Sequence, residues 1–236
     1  MSTSVGQKRR VAKTGSRAAG GSTPSPRPYH HGNLRAALVR AATELLAAEG
    51  PLGVTLRGAA RKAGVSQAAP YRHFQDKEAL LAAVAEEGFR GISRAGAGAA
   101  GPRRDPASAL VAIAVAYVRY AVDHPAHYRL MFAPDVRGRA HPALREAAES
   151  AWTLFTGAIE RCQRAGLIRS DDPPALAFVV WAMLHGLSML LVDRQLPPRV
   201  RALPVDSVVE FATRLLLEGL RPPAQPPRRR RPEGLA

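Results

Sequence analysis

The sequence predicts an all-α fold of about nine helices, with a head of three short helices followed by a larger helical body. Three observations carry that prediction. Apolar residues recur at the 3.6-residue spacing of one helix face along most of the chain. No convincing run alternates in the two-residue period of a half-buried strand. Capping and breaking residues, among them Thr55, Asp76 and Gly50-Pro51, stand where the periodic stretches start and stop.

In chain order, Leu34, Leu38, Ala41, Ala42 and Leu45 share the inner face of a first helix, which Gly50-Pro51 stops. Thr55 caps a short second helix carrying Leu56, Ala59 and Ala60, and Gly64 permits a tight turn. Ser66 is placed to cap a third helix through its hydroxyl. Asp76 caps a fourth, where Glu78 in the first turn suits the helix dipole. Leu80, Leu81 and Val84 form its inner face, and it is expected to run past Phe89 as far as a glycine-rich loop, RAGAGAAGPRRDP. Further helices are expected at Pro106–Asp123, around Pro125–Phe132, and at Pro142–Ala165, Pro174–Asp193 and Asp206–Leu220.

Charge divides the chain differently. The net charge is +15, and residues 1–28 hold six basic groups and no acid. Residues 221–236 hold five arginines against Glu233. Both ends are poor in large apolar groups and read as disordered basic segments. The expected domains are therefore an arm at 1–28, a head at 29–81, a helical body at 82–220 and a tail at 221–236. Such an excess of positive charge attracts polyanions, with nucleic acid ahead of an anionic membrane surface.

The single cysteine, Cys162, excludes an intrachain disulfide and a thiolate zinc cluster. With no apolar leader at the N-terminus, a cytoplasmic location is expected. Residues 173–192 carry no charge over twenty positions, close to a membrane-spanning length. His185, Gly186 and Ser188 interrupt that run, so a buried interface helix is favoured over a span, and no membrane partner is expected.

Two short helices joined by a glycine turn suit the major groove of DNA, the second helix entering it while the first crosses the backbone. Gln67 carries the groups that bond adenine edges, and Arg72 suits either guanine or a phosphate. Ala68 and Ala69 permit close approach, and Tyr71, His73 and Lys77 suit phosphates, which position a protein rather than select its sequence. The competing reading is a helical hairpin with solvated polar groups.

Residues 34–81 resemble the DNA-binding head of the TetR family of transcriptional regulators. The resemblance rests on Thr55, on Gly64-Val65-Ser66, on Tyr71-Arg72-His73-Phe74 and on Lys77-Glu78-Ala79-Leu80-Leu81. It implies DNA contacts at Thr55, Arg57, Gln67, Tyr71, His73 and Lys77, with Ser66, Ala68, Ala69 and Arg72 on the same reading edge. Two departures stand out. Pro70 occupies a position usually filled by Leu or Ile, which predicts a shifted first turn in the reading helix. Gly58 replaces a residue that is often polar, at an expected cost of roughly 1 kcal/mol to the second helix.

The body resembles a TetR subgroup marked by a tryptophan and a His-Gly pair, here WAMLHG (Trp181 to Gly186), with HPAHYRLMF (His124 to Phe132) as a second matching piece. This implies a homodimer joined through the Pro174–Asp193 and Asp206–Leu220 helices as a four-helix bundle. Two heads about 34 Å apart would then read a palindromic operator in double-stranded DNA. A small apolar effector would release it, with Tyr117, Met131, Phe132, Trp152, Phe155, Trp181, His185 and Met189 as pocket residues that ordinary core packing would equally explain. His185 needs a partner, either a ligand or a backbone carbonyl.

The expected function is thus a sequence-specific regulator acting as a repressor; the alternative is a nucleoid-type protein that coats DNA through its arms. No catalytic constellation or cofactor motif is found, so an enzyme is not expected. His124 and His127 lie three apart, but Pro125 separates them and no Cys or carboxylate cluster supports a metal site.

Overall fold

The computed structural model describes residues 34–222 except 102 and 138–140. The arm expected at 1–28 and nearly all of the tail expected at 221–236 lie outside the described residues. Every regular element described is helical. The α-helices are α1 (Leu34–Gly53), α2 (Leu56–Lys62), α3 (Lys77–Ala100), α4 (Pro106–Asp123), α5 (Pro125–Met131), α6 (Pro134–Arg137), α7 (Pro142–Arg164), α8 (Pro173–Val192), α9 (Pro198–Arg201) and α10 (Val205–Gly219). A single 3-10 turn, Ala69–Arg72, sits between α2 and α3.

Local chemistry accounts for most of the boundaries. Gly50 is left-handed (φ 71°), kinking α1, and the chain makes one further turn to Gly53. Thr55, Asp76, Asp105 and Asp172 are side-chain caps that accept from the amides of Gly58, Ala79, Ser108 and Ala175. Proline in the first turn opens α4, α5, α7 and α8, where its missing amide costs nothing.

The glycine-rich stretch expected to be a loop is helical. α3 continues through RAGAGAA to Ala100, and the loop shrinks to residues 101–105. Packing accounts for one of its two glycines: a Cβ at Gly96 would lie 2.7 Å from Leu154 Cδ2 of α7, so glycine lets that side chain seat there without shifting, whereas a Cβ at Gly98 would meet nothing within 4 Å. Two glycines earlier in the helix are close-packed as well. A Cβ added at Gly88 would meet Met131 Sδ of α5 at 2.5 Å, and one at Gly91 would meet the Tyr120 ring of α4. α3 is therefore a smooth rail against which α4, α5 and α7 seat large side chains.

The core runs without a break from the head into the body. Leu38, Leu46, Val54, Phe74 and Leu80 are buried in the head, and Leu110, Ile113, Tyr128, Met131 and Ile159 in the body. α3 belongs to both, so the division expected at residue 81 falls inside one continuous helix.

α4 and α8 are each long and apolar enough to cross a membrane, with mean hydropathy of 1.3 and 2.1. α4 is wrapped by α3, α7, α8 and α10. α8 buries one stripe, Leu176, Ala177, Val180, Leu184 and Ser188. Its other stripe is bare in the single chain: Phe178 is 56% exposed and Val179 46% exposed. On α10 Phe211 and Leu215 are 69% and 57% exposed.

Candidate nucleic-acid interface and ligand cavity

The head is held by backbone devices. Thr55 is extended (φ −137°), and its Oγ1 accepts from the Gly58 amide at 2.9 Å. A Cβ at Gly58 would sit 2.8 Å from that oxygen and 3.4 Å from Leu45 Cδ1. A larger residue at 58 would crowd the Thr55 cap, and that room offsets part of the expected cost of Gly58 to helix propensity. At the other end of α2, the Val65 amide donates to the Ala60 carbonyl and the Gly64 amide to Arg61, with Gly64 left-handed (φ 70°). This double closure ends α2 and aims the chain into the next element.

That element differs from expectation. Residues 66–73 do not form an α-helix, and Ser66 does not cap one: the 3-10 turn has no side-chain cap. Pro70 is the cause. Without an amide hydrogen it cannot donate to the Ser66 carbonyl, which accepts from Ala69 at 3.0 Å instead, one residue short of helical pairing. The turn is pinned from below, because Pro70 and Phe74 are buried and the Arg35 guanidinium lies 5.6 Å above the Phe74 ring.

Pinning leaves one edge outward. Arg57, Ser66, Gln67, Ala68, Tyr71, Arg72 and His73 are exposed, and Tyr71 is 55% so. Two expected positions differ. Ala69 is half-buried, and Lys77, also half-buried, donates from Nζ to the Leu52 carbonyl at 3.3 Å, tying α3 to the end of α1.

A second tie was not foreseen. Glu86, buried in the middle of α3, accepts from Arg35 of α1 at 3.1 Å and pairs with Arg90 at 2.5 Å. Its signal lay in its spacing, since Glu86 follows the apolar run from Leu80 to Ala85 and falls on the same helix face as Ala82, Ala83 and Phe89.

The body contains a cavity of about 520 Å³. Tyr117, Phe132, Trp152, Phe155 and Trp181, all expected pocket residues, line it. Met131, His185 and Met189 do not. Met131 is fully buried against Gly88. His185 lies just behind the wall, with its ring stacked on Trp181 at 5.1 Å and its Nδ1 2.7 Å from the Tyr128 hydroxyl. Its partner is therefore a tyrosine, neither the ligand nor the backbone carbonyl that had been the alternatives. Phe89 and Ile92 of α3 and Phe178 of α8 complete the apolar wall, and His141, which precedes α7, with Arg145 and Glu149 of α7, adds polar groups. Phe89 and Ile92 were not among the expected pocket residues, although they share one face of α3 at helical spacing within the helix expected to run past Phe89.

Burial tunes the polar groups near the cavity. It raises Tyr117 well above the usual tyrosine value and pushes Tyr128 up to about 12. It holds His185 and His127 below the usual histidine value, so both rings are neutral at pH 7. His127 donates from Nε2 to the Val84 carbonyl at 2.5 Å, while its Nδ1 takes the Tyr120 hydroxyl at 3.3 Å. Both nitrogens are thus engaged by protein groups. No cluster of three metal-ligating side chains occurs among the described residues.

Comparison with known proteins agrees with this architecture. Residues 38–84 match the profile of bacterial regulatory proteins of the tetR family, and residues 110–216 that of the tetracyclin repressor-like C-terminal domain. A protein of unknown function from Rhodococcus sp. RHA1 is 35% identical over 84% of this chain and 100% of its own, with a TM-score of 0.73. A tetR-family regulatory protein from Rhodococcus RHA1 is 25% identical over 79% and 96%, with a TM-score of 0.60. PfmR, a TetR-family transcriptional regulator from Thermus thermophilus, shares the fold at 22% identity over 78% and 99%, with a TM-score of 0.58. No curated protein matches.

A capped helix-turn-helix head joined by one helix to an aromatic-walled body defines the class, a DNA-binding transcriptional regulator. The chain belongs to the TetR family.

Proposed function

We propose that this regulator is a cytoplasmic homodimeric repressor that leaves a palindromic operator when a small, mainly apolar molecule fills the body cavity. One observation carries the reading. α3 is a single helix whose first half packs in the head (Leu80, Leu81, Val84) and whose second half lines the cavity (Phe89, Ile92). Any ligand that displaces Phe89 or Ile92 tilts the element on which the head is mounted. Because Lys77 and Glu86 tie α3 to α1, the head follows α3 as a unit.

The DNA edge in this reading is formed by Arg57, Ser66, Gln67, Ala68, Tyr71, Arg72 and His73, with Thr55, Ala69 and Lys77 supporting it. The bare stripes of α8 and α10 pair with those of a second copy, which sets the separation of two heads near the 34 Å between successive major grooves. A coupling of about 1–3 kcal/mol between cavity and head gives a five- to hundredfold change in operator occupancy.

Footprinting of the purified full chain on genomic fragments tests this reading, combined with sedimentation analysis. The expected result is protection of two half-sites one helical turn apart by a dimer. Protection without symmetry, or binding by a single subunit, would contradict it.

A further inference from the structure

We propose that the cavity recognises a planar aromatic acid, with its ring system against the tyrosine–tryptophan wall and its carboxylate on Arg145. This rests on the cavity being the effector site and goes on to name the ligand class. The argument comes from which hydrogen-bonding groups the protein has already used.

The inner wall's hydroxyls are engaged with one another. Trp181 Nε1 donates to the Tyr117 hydroxyl at 3.1 Å, the Tyr117 and Tyr128 hydroxyls are 2.8 Å apart, and Tyr128 lies 2.7 Å from His185 Nδ1. Two proton arrangements fit these distances. If His185 Nδ1 carries the hydrogen, the Tyr117 hydroxyl hydrogen is left facing the cavity that Tyr117 lines. If Nδ1 accepts, the bonds run Trp181 to Tyr117 to Tyr128 to His185, both hydroxyl hydrogens are placed, and the imidazole hydrogen sits on Nε2, on a ring behind the wall. The second arrangement is the one we infer, and it leaves no wall hydroxyl with a hydrogen to offer a ligand. A ligand therefore meets ring faces and edges there, with Trp152 and Trp181 nearly perpendicular at 6.4 Å and Tyr117 and Phe155 likewise at 5.6 Å. Such a wall favours flat aromatic surface and penalises a polar substituent.

Unused donors lie along α7. The Trp152 indole N–H has no hydrogen-bond partner among the described residues. Two turns toward the N-terminus, Arg145 approaches Glu149 at 3.8 Å, beyond hydrogen-bond range, and both side chains are largely exposed. The guanidinium therefore keeps its donors, which suit the two oxygens of a carboxylate. Apart from Glu149, and His141 whose ring can donate or accept, this end of the cavity offers donors, and donors select an acceptor.

Calorimetry on the full chain with 2-naphthoate, 2-naphthamide and 2-naphthylmethylammonium tests the class. The acid is expected to bind about tenfold tighter than the amide, and Arg145→Gln to bring their ratio close to one. Equal binding of acid and amide to the wild type, or tightest binding of the cation, overturns the acid assignment while leaving the cavity as the effector site. If neither acid nor amide binds, the planar aromatic class is overturned, whereas the cavity as effector site stands or falls separately, with the operator affinity of a cavity-filled variant such as Ala148→Phe. A fourth ligand, 6-hydroxy-2-naphthoate, probes the wall. It should bind the wild type about tenfold more weakly than 2-naphthoate, since no partner awaits the hydroxyl. Tyr117→Phe, which leaves the Trp181 N–H unpaired, should narrow that gap; no penalty in the wild type overturns the saturated wall.

Discussion

Head and body reach stability by different means. The head relies on short backbone closures, with a threonine cap, a left-handed glycine and an aspartate cap spaced over little more than twenty residues. The body relies on large rings and long aliphatic side chains seated against small residues of α3, and it leaves about 520 Å³ unfilled. The contrast shows where specificity to two partners can reside. A repeating partner such as DNA needs a fixed edge, whereas a small ligand needs volume that side chains can close around. α3 belongs to both regions, so change in one is felt in the other.

Substitutions that remove a structural device in one region should sharpen the contrast. The largest effect is expected from Phe74→Ala, which removes the buried ring that pins the 3-10 turn and should cost about 3–5 kcal/mol in urea unfolding, with loss of DNA binding. Gly88→Val comes next. It forces a side chain onto Met131 and His127 at the seam of α3 and α5, and overpacking of this kind costs about 1–3 kcal/mol. Its melting temperature should fall, and its DNA affinity should change more than that of a head variant of equal stability.

Thr55→Ala deletes one cap and should cost about 1 kcal/mol, with little effect on ligand binding. If it altered ligand affinity as much as Gly88→Val, the division between fixed head and adaptable body would fail.

The smallest effect is expected at Asp206, which joins α10 to α4 through Arg119 at 2.5 Å. The hydrogen bond to Arg119 holds this carboxyl below the usual aspartate value. A depressed folded-state value means the contribution is present above the unfolded value and lost as pH falls through the folded one. Asp206→Asn should thus cost about 0.2–1 kcal/mol near neutrality, as exposed pairs do. The difference from the wild type should shrink in acid, and a difference that persists in strong acid would assign it to packing instead.

The head was legible in the sequence because its devices are local. Thr55, Gly64 and Asp76 announce caps and turns by identity and spacing alone. Pro70 was legible as a disturbance, but not in extent: whether a turn relaxes to 3-10 geometry depends on what buries the proline, and that is tertiary. The glycines between Arg94 and Gly101 misled for the same reason. Glycine signals both a loop and a close helix crossing, and at Gly96 it is Leu154, more than fifty residues away, that marks the crossing. In the body, the aromatic residues that line the cavity were identifiable by type. Trp181 and His185 lie one helical turn apart, yet one lines the space and the other backs it, an outcome set by the Tyr117–Tyr128 pair beneath.

The coupling of cavity to DNA edge through α3 is tested most directly by filling the cavity from within. Ala148 is half-buried on its wall, and Ala148→Phe places a ring where a ligand would lie. Fluorescence anisotropy on a footprinted operator should show the variant binding at least about fivefold more weakly than the wild type, with an unchanged circular dichroism spectrum and dimer mass. Equal operator affinity in a folded, dimeric Ala148→Phe protein would contradict the account.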